Sequence, residues 1–288
     1  MVPPRGVGRP AIEGLLDDFS LEMTCQDLPA LGEASRMLPP GTRVNVTFLA
    51  HEDGDTRRRA AAGVRELGLV PVPHLAARRL ASAAELDDLL AGLHAEGCTD
   101  QVLVIAGDPP APLGPFADAL AVITSGALER HGVRHVSISG YPDGHPDISG
   151  EALWQGLADK ASALRERGLD GSVVTQFGFD PDAVLAWLEQ VRDRGVDLPV
   201  RVGVPGPAGV KRLLGFATRF GVRTSTGIAR KYGLSLANLA GTAGPDRFIR
   251  RFAAGYQPHL HGKVQLHFFT FGGLTATAAW VQDYRAGG

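Results

Sequence analysis

Glu22 sits in an apolar run between Leu21 and Met23, where the interior of a strand would carry it. A carboxyl group in that setting either faces solvent or points into a cavity. Burial would raise its pKa and make it a proton donor near neutrality. Asp108 follows Gly107 and precedes Pro109 and Pro110, which stiffen the loop. A turn or helix cap is the plain use of such an aspartate; an electrostatic role at a ligand is the other. Thr47, between Val46 and Phe48, and His74, after Val72 and Pro73, bring hydrogen-bonding groups to the ends of two further apolar runs. Gln176, between Thr175 and Phe177, carries an amide that both donates and accepts, which suits a heterocyclic ligand.

Other chemistries lack their signatures. No Gly-x-Gly-x-x-Gly follows the first strand, and there is no P-loop or Gly-x-Ser-x-Gly elbow. Gly203, Gly206 and Gly209 have the wrong spacing for a phosphate loop and read as tight-turn residues. The close histidine pairs His131/His135 and His259/His261 lack a third ligand at zinc spacing, so no metal site is expected.

The candidate residues share one placement, at or near the end of a β-branched run that leads into a stretch of helical period. Strands are expected at Phe19–Thr24, Arg43–Leu49, Val70–His74, Gln101–Ala106, His135–Ser139, Ser172–Gln176, Val200–Val204 and Val264–Thr270. Ala83–Ala95 and Pro181–Arg194 have leucines and valines at helical spacing, and Asp180 followed by Pro181 is a favoured helix start. Regular alternation of this kind predicts an α/β fold, a (β/α)8 TIM barrel whose strand-end residues converge on one cavity. A doubly wound open sheet is the alternative, since alternation does not prove closure. Extra helical segments at Thr224–Gly255 interrupt the rhythm before the last strand, either as a cover for the ligand or as surface elaboration. Residues 1–18 read as a flexible N-terminal arm and 19–288 as a single catalytic barrel.

Bulk properties agree. The chain has 288 residues, enough for a barrel of about 250. Its 44% hydrophobic and 21% charged residues fit an ordinary globular protein, and a net charge of -2 advertises no polyanionic partner. Arg57 to Arg59 follow a run of acidic residues and read as a solvated helix face, so nucleic acid is not expected. Cys25 and Cys98 form no disulfide or metal pattern and read as incidental thiols of a cytoplasmic protein. No apolar run approaches the ~18 residues of a membrane span, and residues 1–10 lack the apolar core of a signal peptide. A homo-oligomer is compatible with the fold, although no exposed apolar stripe stands out.

Taken in order, the strings resemble the methylenetetrahydrofolate reductase family, in a short, divergent bacterial form, over roughly residues 19 to 285. They are Leu21-Glu22, Val46-Thr47, Pro73-His74-Leu75, Gly107-Asp108, the Gly140–Pro146 segment, Thr175–Asp180 and Leu266–Thr270. The resemblance implies a flavin adenine dinucleotide (FAD) enzyme of one-carbon metabolism and methionine biosynthesis. Such an enzyme interconverts 5,10-methylenetetrahydrofolate and 5-methyltetrahydrofolate, with NADH or NADPH as hydride donor and ping-pong kinetics. It implies that Glu22 is the general acid that opens the methylene bridge to an iminium. Asp108 would lie beside the flavin and tune its reduction, since a fixed carboxylate favours nearby positive charge. Gln176 would contact the pterin, and Phe216 would stack on the substrate or the nicotinamide. Thr47, His74, Gly107, Asp108, Tyr141, His145 and Lys160 match flavin-contacting positions, His145 and Lys160 toward the pyrophosphate.

The chain also departs from the family pattern. Ala106 stands where an arginine commonly precedes Gly-Asp, and Met23-Thr24-Cys25 replaces the usual aromatics and prolines. Phe271-Gly272-Gly273 replaces a tail with Asn and Arg. Two rival readings follow: a flavin-free reductase with direct hydride transfer, and a folate- or flavin-binding protein without turnover. Glu22 argues against the second, because binding alone needs no proton donor.

Overall fold

The structure is a computed structural model that describes residues 14–49, 52–222, 232 and 241–286. Eight parallel strands close into a barrel: β1 (Ser20–Met23), β2 (Arg43–Val46), β3 (Val70–Ala76), β4 (Gln101–Ile105), β5 (His135–Gly140), β6 (Asp170–Thr175), β7 (Val200–Pro205) and β10 (Val264–Phe269). Each pairs with its neighbour in sequence, and β10 closes the ring against β1, with Ser20 opposite His267 and Glu22 opposite Phe269. The expected TIM barrel is thus the observed fold. Two short strands, β8 (Ala208–Gly209) and β9 (Thr242–Ala243), pair antiparallel outside it. Two residues carry no period, so these strands leave no signal in the sequence.

Alternation along each strand sorts side chains between two environments. On β1, Leu21 and Met23 join the large outer core between sheet and helices, whereas Ser20 and Glu22 reach polar partners inside. The interior is only partly apolar: Val72, Leu103 and Val174 form a small cluster there. The helices seal the outer face by helical spacing. Leu86, Leu89, Leu90 and Leu93 are the buried stripe of Ala83–Ala95, capped by Ser82, whose hydroxyl accepts from the Glu85 N–H at 3.0 Å. Val184, Trp187, Leu188 and Val191 play that part in Pro181–Asp193, which Asp180 caps through the Asp182 N–H.

Three expectations change. The arm does not extend to residue 18, for Leu15 and Leu16 are buried in the outer core and Asp18 plugs the barrel floor. Its carboxylate pairs with Arg43 and with Arg201, the latter at 2.8 Å. Residues 1–13 of the expected arm lie outside the described residues, as do 224–231 and 233–240 of the expected insertion; within it, Asp246–Gly255 is a helix. Arg57 is not solvated. It is buried, with its guanidinium 3.5 Å from the centre of the Phe48 ring. Gly203 and Gly206 are not turn residues but sites of close approach. A Cβ at Gly203 would lie 2.4 Å from the Thr175 carbonyl oxygen, and one at Gly206 would lie 2.5 Å from Thr277 Oγ1. The closeness lets the Gly203 N–H donate to Thr175 Oγ1 at 2.8 Å. Among the described residues, no helix is long and apolar enough to cross a membrane.

Candidate active site

Glu22 is near the mouth end of β1, where β2 presents Asn45, β3 presents His74 and β10 presents His267. Its Oε2 lies 3.6 Å from His267 Nε2 and 3.9 Å from His74 Nε2. Behind them, Ser20 Oγ and His267 Nδ1 are 2.8 Å apart, and the Asn45 amide donates to His74 Nε2 at 3.4 Å. Thr270 Oγ1 donates to the Glu22 carbonyl at 2.7 Å, tying the end of β10 to β1. Both histidines are buried, while about a fifth of the Glu22 side chain (21%) is exposed at the mouth.

The electrostatics correct an expectation. Burial pushes the Glu22 carboxyl up, but the imidazoles of His267 and His74 outweigh it, and its pKa lies below the ordinary value. Ligand-free Glu22 is therefore ionised at neutral pH, not a standing proton donor. Burial drives His74 down to about 4 against the opposing pull of Glu22, so its ring is neutral and accepts from Asn45. Periodicity places Glu22 and His74 near one cavity, and it assigns no role to His267, Asn45 or Ser20. The signal that was available is polar residues at the inward positions of otherwise apolar strands.

The other candidates stand apart from this cluster. The Thr47 N–H donates to the Met23 carbonyl at 2.9 Å, and its own hydroxyl is buried without a partner. Gln176 donates its N–H to the Gly140 carbonyl at 2.8 Å and turns its side-chain oxygen onto the Phe177 N–H at 3.1 Å. Tyr141 and His145 meet edge to face at 5.4 Å in the loop after β5. Tyr141 lines a cleft of about 190 Å³ with Trp154 and Trp187, and His145 lines an adjoining one of about 370 Å³. Lys160, on the helix Gly150–Glu166, is depressed by burial, with Asp118 opposing.

Asp108 departs from its expected place. It follows Gly107, whose φ is +87°, but its side chain is 79% exposed and paired with Arg79, whose Nε donates at 2.9 Å. No contact among the described residues joins it to Glu22. Phe216 stacks at 4.0 Å, nearly parallel, on Phe271 from the chain after β10, which also meets Phe177 at 4.9 Å. The face expected to receive a ligand ring is already covered by one of the protein's own.

A flat, polar ring with a phosphate tail fits part of this donor set. The orphaned Thr47 hydroxyl wants a partner at the mouth, and Tyr141, His145 and Lys160 suit the ring edge and tail. Neither thiol is activated: burial pushes Cys25 up to about 12 and Cys98 up to about 11.

A family model described as methylenetetrahydrofolate reductase matches residues 30–224. Methylenetetrahydrofolate reductase 2 of Saccharomyces cerevisiae is 27% identical over 145 residues, covering 48% of this chain and 24% of that protein. Methylenetetrahydrofolate reductase (NADH) 1 of Arabidopsis thaliana is 24% identical over 204 residues, covering 65% and 33%. The Zea mays protein of that name is 28% identical over 144 residues, covering 46% and 24%. The matches thus take in only a quarter to a third of these relatives' length. The crystal structure of dihydropteroate synthase from Thermus thermophilus superposes with a TM-score of 0.48 at 16% identity, over 95% of this chain and 96% of that one. Glu22, His267 and Phe271 lie outside the family-model match.

Proposed function

The chain belongs to the methylenetetrahydrofolate reductase family, and from that premise we propose that it interconverts 5,10-methylenetetrahydrofolate and 5-methyltetrahydrofolate in a single catalytic domain. The observation that carries this reading is Glu22, a carboxylate at the mouth of a parallel barrel, flanked by two buried imidazoles. In the oxidative direction its ionised form is ready to act: once the N5-methyl group has given its hydride to the oxidised nicotinamide co-substrate, N10 closes on the resulting iminium and its proton passes to Glu22. In the reductive direction the carboxyl must first hold that proton. A bound folate would cover the exposed part of Glu22, and loss of water favours the protonated form. Gln176 would orient the pterin through its amide, and Phe216 would stack on the aromatic part of the ligand once Phe271 gives way.

FAD would be held by Thr47, Tyr141, His145 and Lys160; bound, it would carry hydride from nicotinamide to folate and impose ping-pong kinetics. NADH is the first donor to test, because relatives in Arabidopsis and maize carry it in their names. A flavin-free reductase is the second reading. Three observations favour it: Asp108 is turned outward to Arg79, the Ala106 side chain carries no polar group, and Phe271 covers Phe216.

An absorption spectrum of the purified protein, followed by anaerobic NADH and then the folate, decides between them. Flavin bands that bleach and then recover support the first reading. A colourless protein that takes up no flavin yet oxidises NADH with the folate supports the second. A protein that does neither is not a reductase of this kind.

A further inference from the structure

His267 has an unusual combination of burial and incomplete satisfaction. It is fully buried on β10, and its Nδ1 is engaged by Ser20 Oγ at 2.8 Å. Its Nε2 is buried too, has no partner at hydrogen-bond distance, and points to Glu22 Oε2 at 3.6 Å. A buried ring nitrogen without a partner forfeits its hydration with nothing in return, so its retention calls for a use.

The surroundings narrow that use. His74 is the other titratable group bearing on Glu22 among the described residues, and its Nε2 accepts from Asn45, so it offers the carboxylate no proton. Asn45 on β2 and Ser20 on β1 are neutral, and β7 sets only Gly203 opposite His267. Phe269 contributes an uncharged ring 5.0 Å from that of His267. This leaves His267 as the one imidazole in the group able to donate to Glu22. A serine hydroxyl can donate to Nδ1, which leaves the ring proton on Nε2, facing the carboxylate.

We propose that His267 is the positioning residue of Glu22: Ser20 fixes the ring through Nδ1, and the Nε2–H orients the carboxylate and governs when it takes up a proton. The inference rests on the reductase reading only for what Glu22 does with that proton. A small side-chain movement closes the 3.6 Å gap in the ionised state. When a ligand raises the proton affinity of Glu22, the donor bond is given up without creating a new charge in the core.

The test uses the intact protein without ligand. Long-range 1H–15N spectra of labelled histidine should show His267 as the Nε2–H tautomer. In 13C titrations of the glutamate carboxyls, with Glu22 assigned by its loss in Glu22→Gln, His267→Leu should raise the Glu22 midpoint by at least one pH unit. That is a tenfold change in proton affinity. His267→Gln, which keeps an N–H donor, should bring it back toward the unaltered value, and Ser20→Ala should give a smaller rise. An Nδ1–H tautomer overturns the proposal, as does an unmoved midpoint in folded His267→Leu. Should His267→Leu not fold, the tautomer and Ser20→Ala decide alone. Absence of folate turnover by the unaltered protein would sink the reductase reading and leave these titrations standing.

Discussion

His74 offers a quantitative check on the electrostatics of the site. Its ring is held neutral by burial, with a pKa of about 4 against an ordinary 6.5, while the unfolded chain can protonate it freely. Between those values the unfolded state binds more protons than the folded one, so stability falls as pH falls. At 1.36 kcal/mol per pH unit, the full penalty is about 3 kcal/mol, of which about 2 kcal/mol develops between pH 6.5 and 4.5. Glu22 works in a different window. Its depressed pKa contributes stability above the ordinary carboxyl value of 4.5, which is lost as pH falls through the folded value. His135, also depressed by burial, adds to the upper window with the same sign. The variant His74→Gln isolates one component, because its side chain does not titrate. Urea unfolding followed by tryptophan fluorescence at pH 7.5, 6.5, 5.5 and 4.5 should show the unaltered protein losing about 2 kcal/mol more than the variant across the lower three values. Parallel curves for the two proteins would mean that His74 is not held neutral, and the account of the Glu22 cluster would fail with it.

The remaining predictions concern the chemistry and the frame that holds it. Glu22→Gln should reduce folate turnover about 10²–10⁴-fold while leaving nicotinamide oxidation by an artificial acceptor intact; equal loss of both would remove the proton-transfer role. Phe271→Ala uncovers Phe216 and should lower the KM for the ring ligand about 2- to 10-fold at little change in kcat, the worth of one stacked pair. A KM that stays or rises would show that the stack is structural. Asp18→Asn leaves Arg201, only 9% exposed, without its carboxylate, although Arg201 keeps the Asp18 carbonyl at 2.6 Å. Because Asp18 itself is 40% exposed, the loss should be about 2 kcal/mol in urea unfolding, below that of a wholly buried pair. Gly203→Ala forces β6 and β7 apart at the Thr175 carbonyl and should cost about 1–3 kcal/mol; an unchanged midpoint would refute the close-approach reading.

Local information determined the elements and their alternation, whereas the β1–β10 pairing that closes the barrel is a tertiary contact. Each β-branched run and each leucine stripe reports its own burial through its period, so eight strands and the helices Ala83–Ala95 and Pro181–Asp193 were legible within a few residues. The same pattern located the strand ends where Glu22, Thr47, His74 and Gln176 stand. What it could not hold is any property that depends on a neighbour far along the chain. His267 meets Glu22 only because β10 closes the ring against β1, and that contact reverses the pKa shift that burial alone would give. Likewise, Asp108 turns outward because Arg79 waits at the end of β3, and Phe271 covers Phe216 because the chain after β10 folds back over the mouth. Periodicity records whether a residue is buried; charge state and direction are set by which partners barrel closure brings to it.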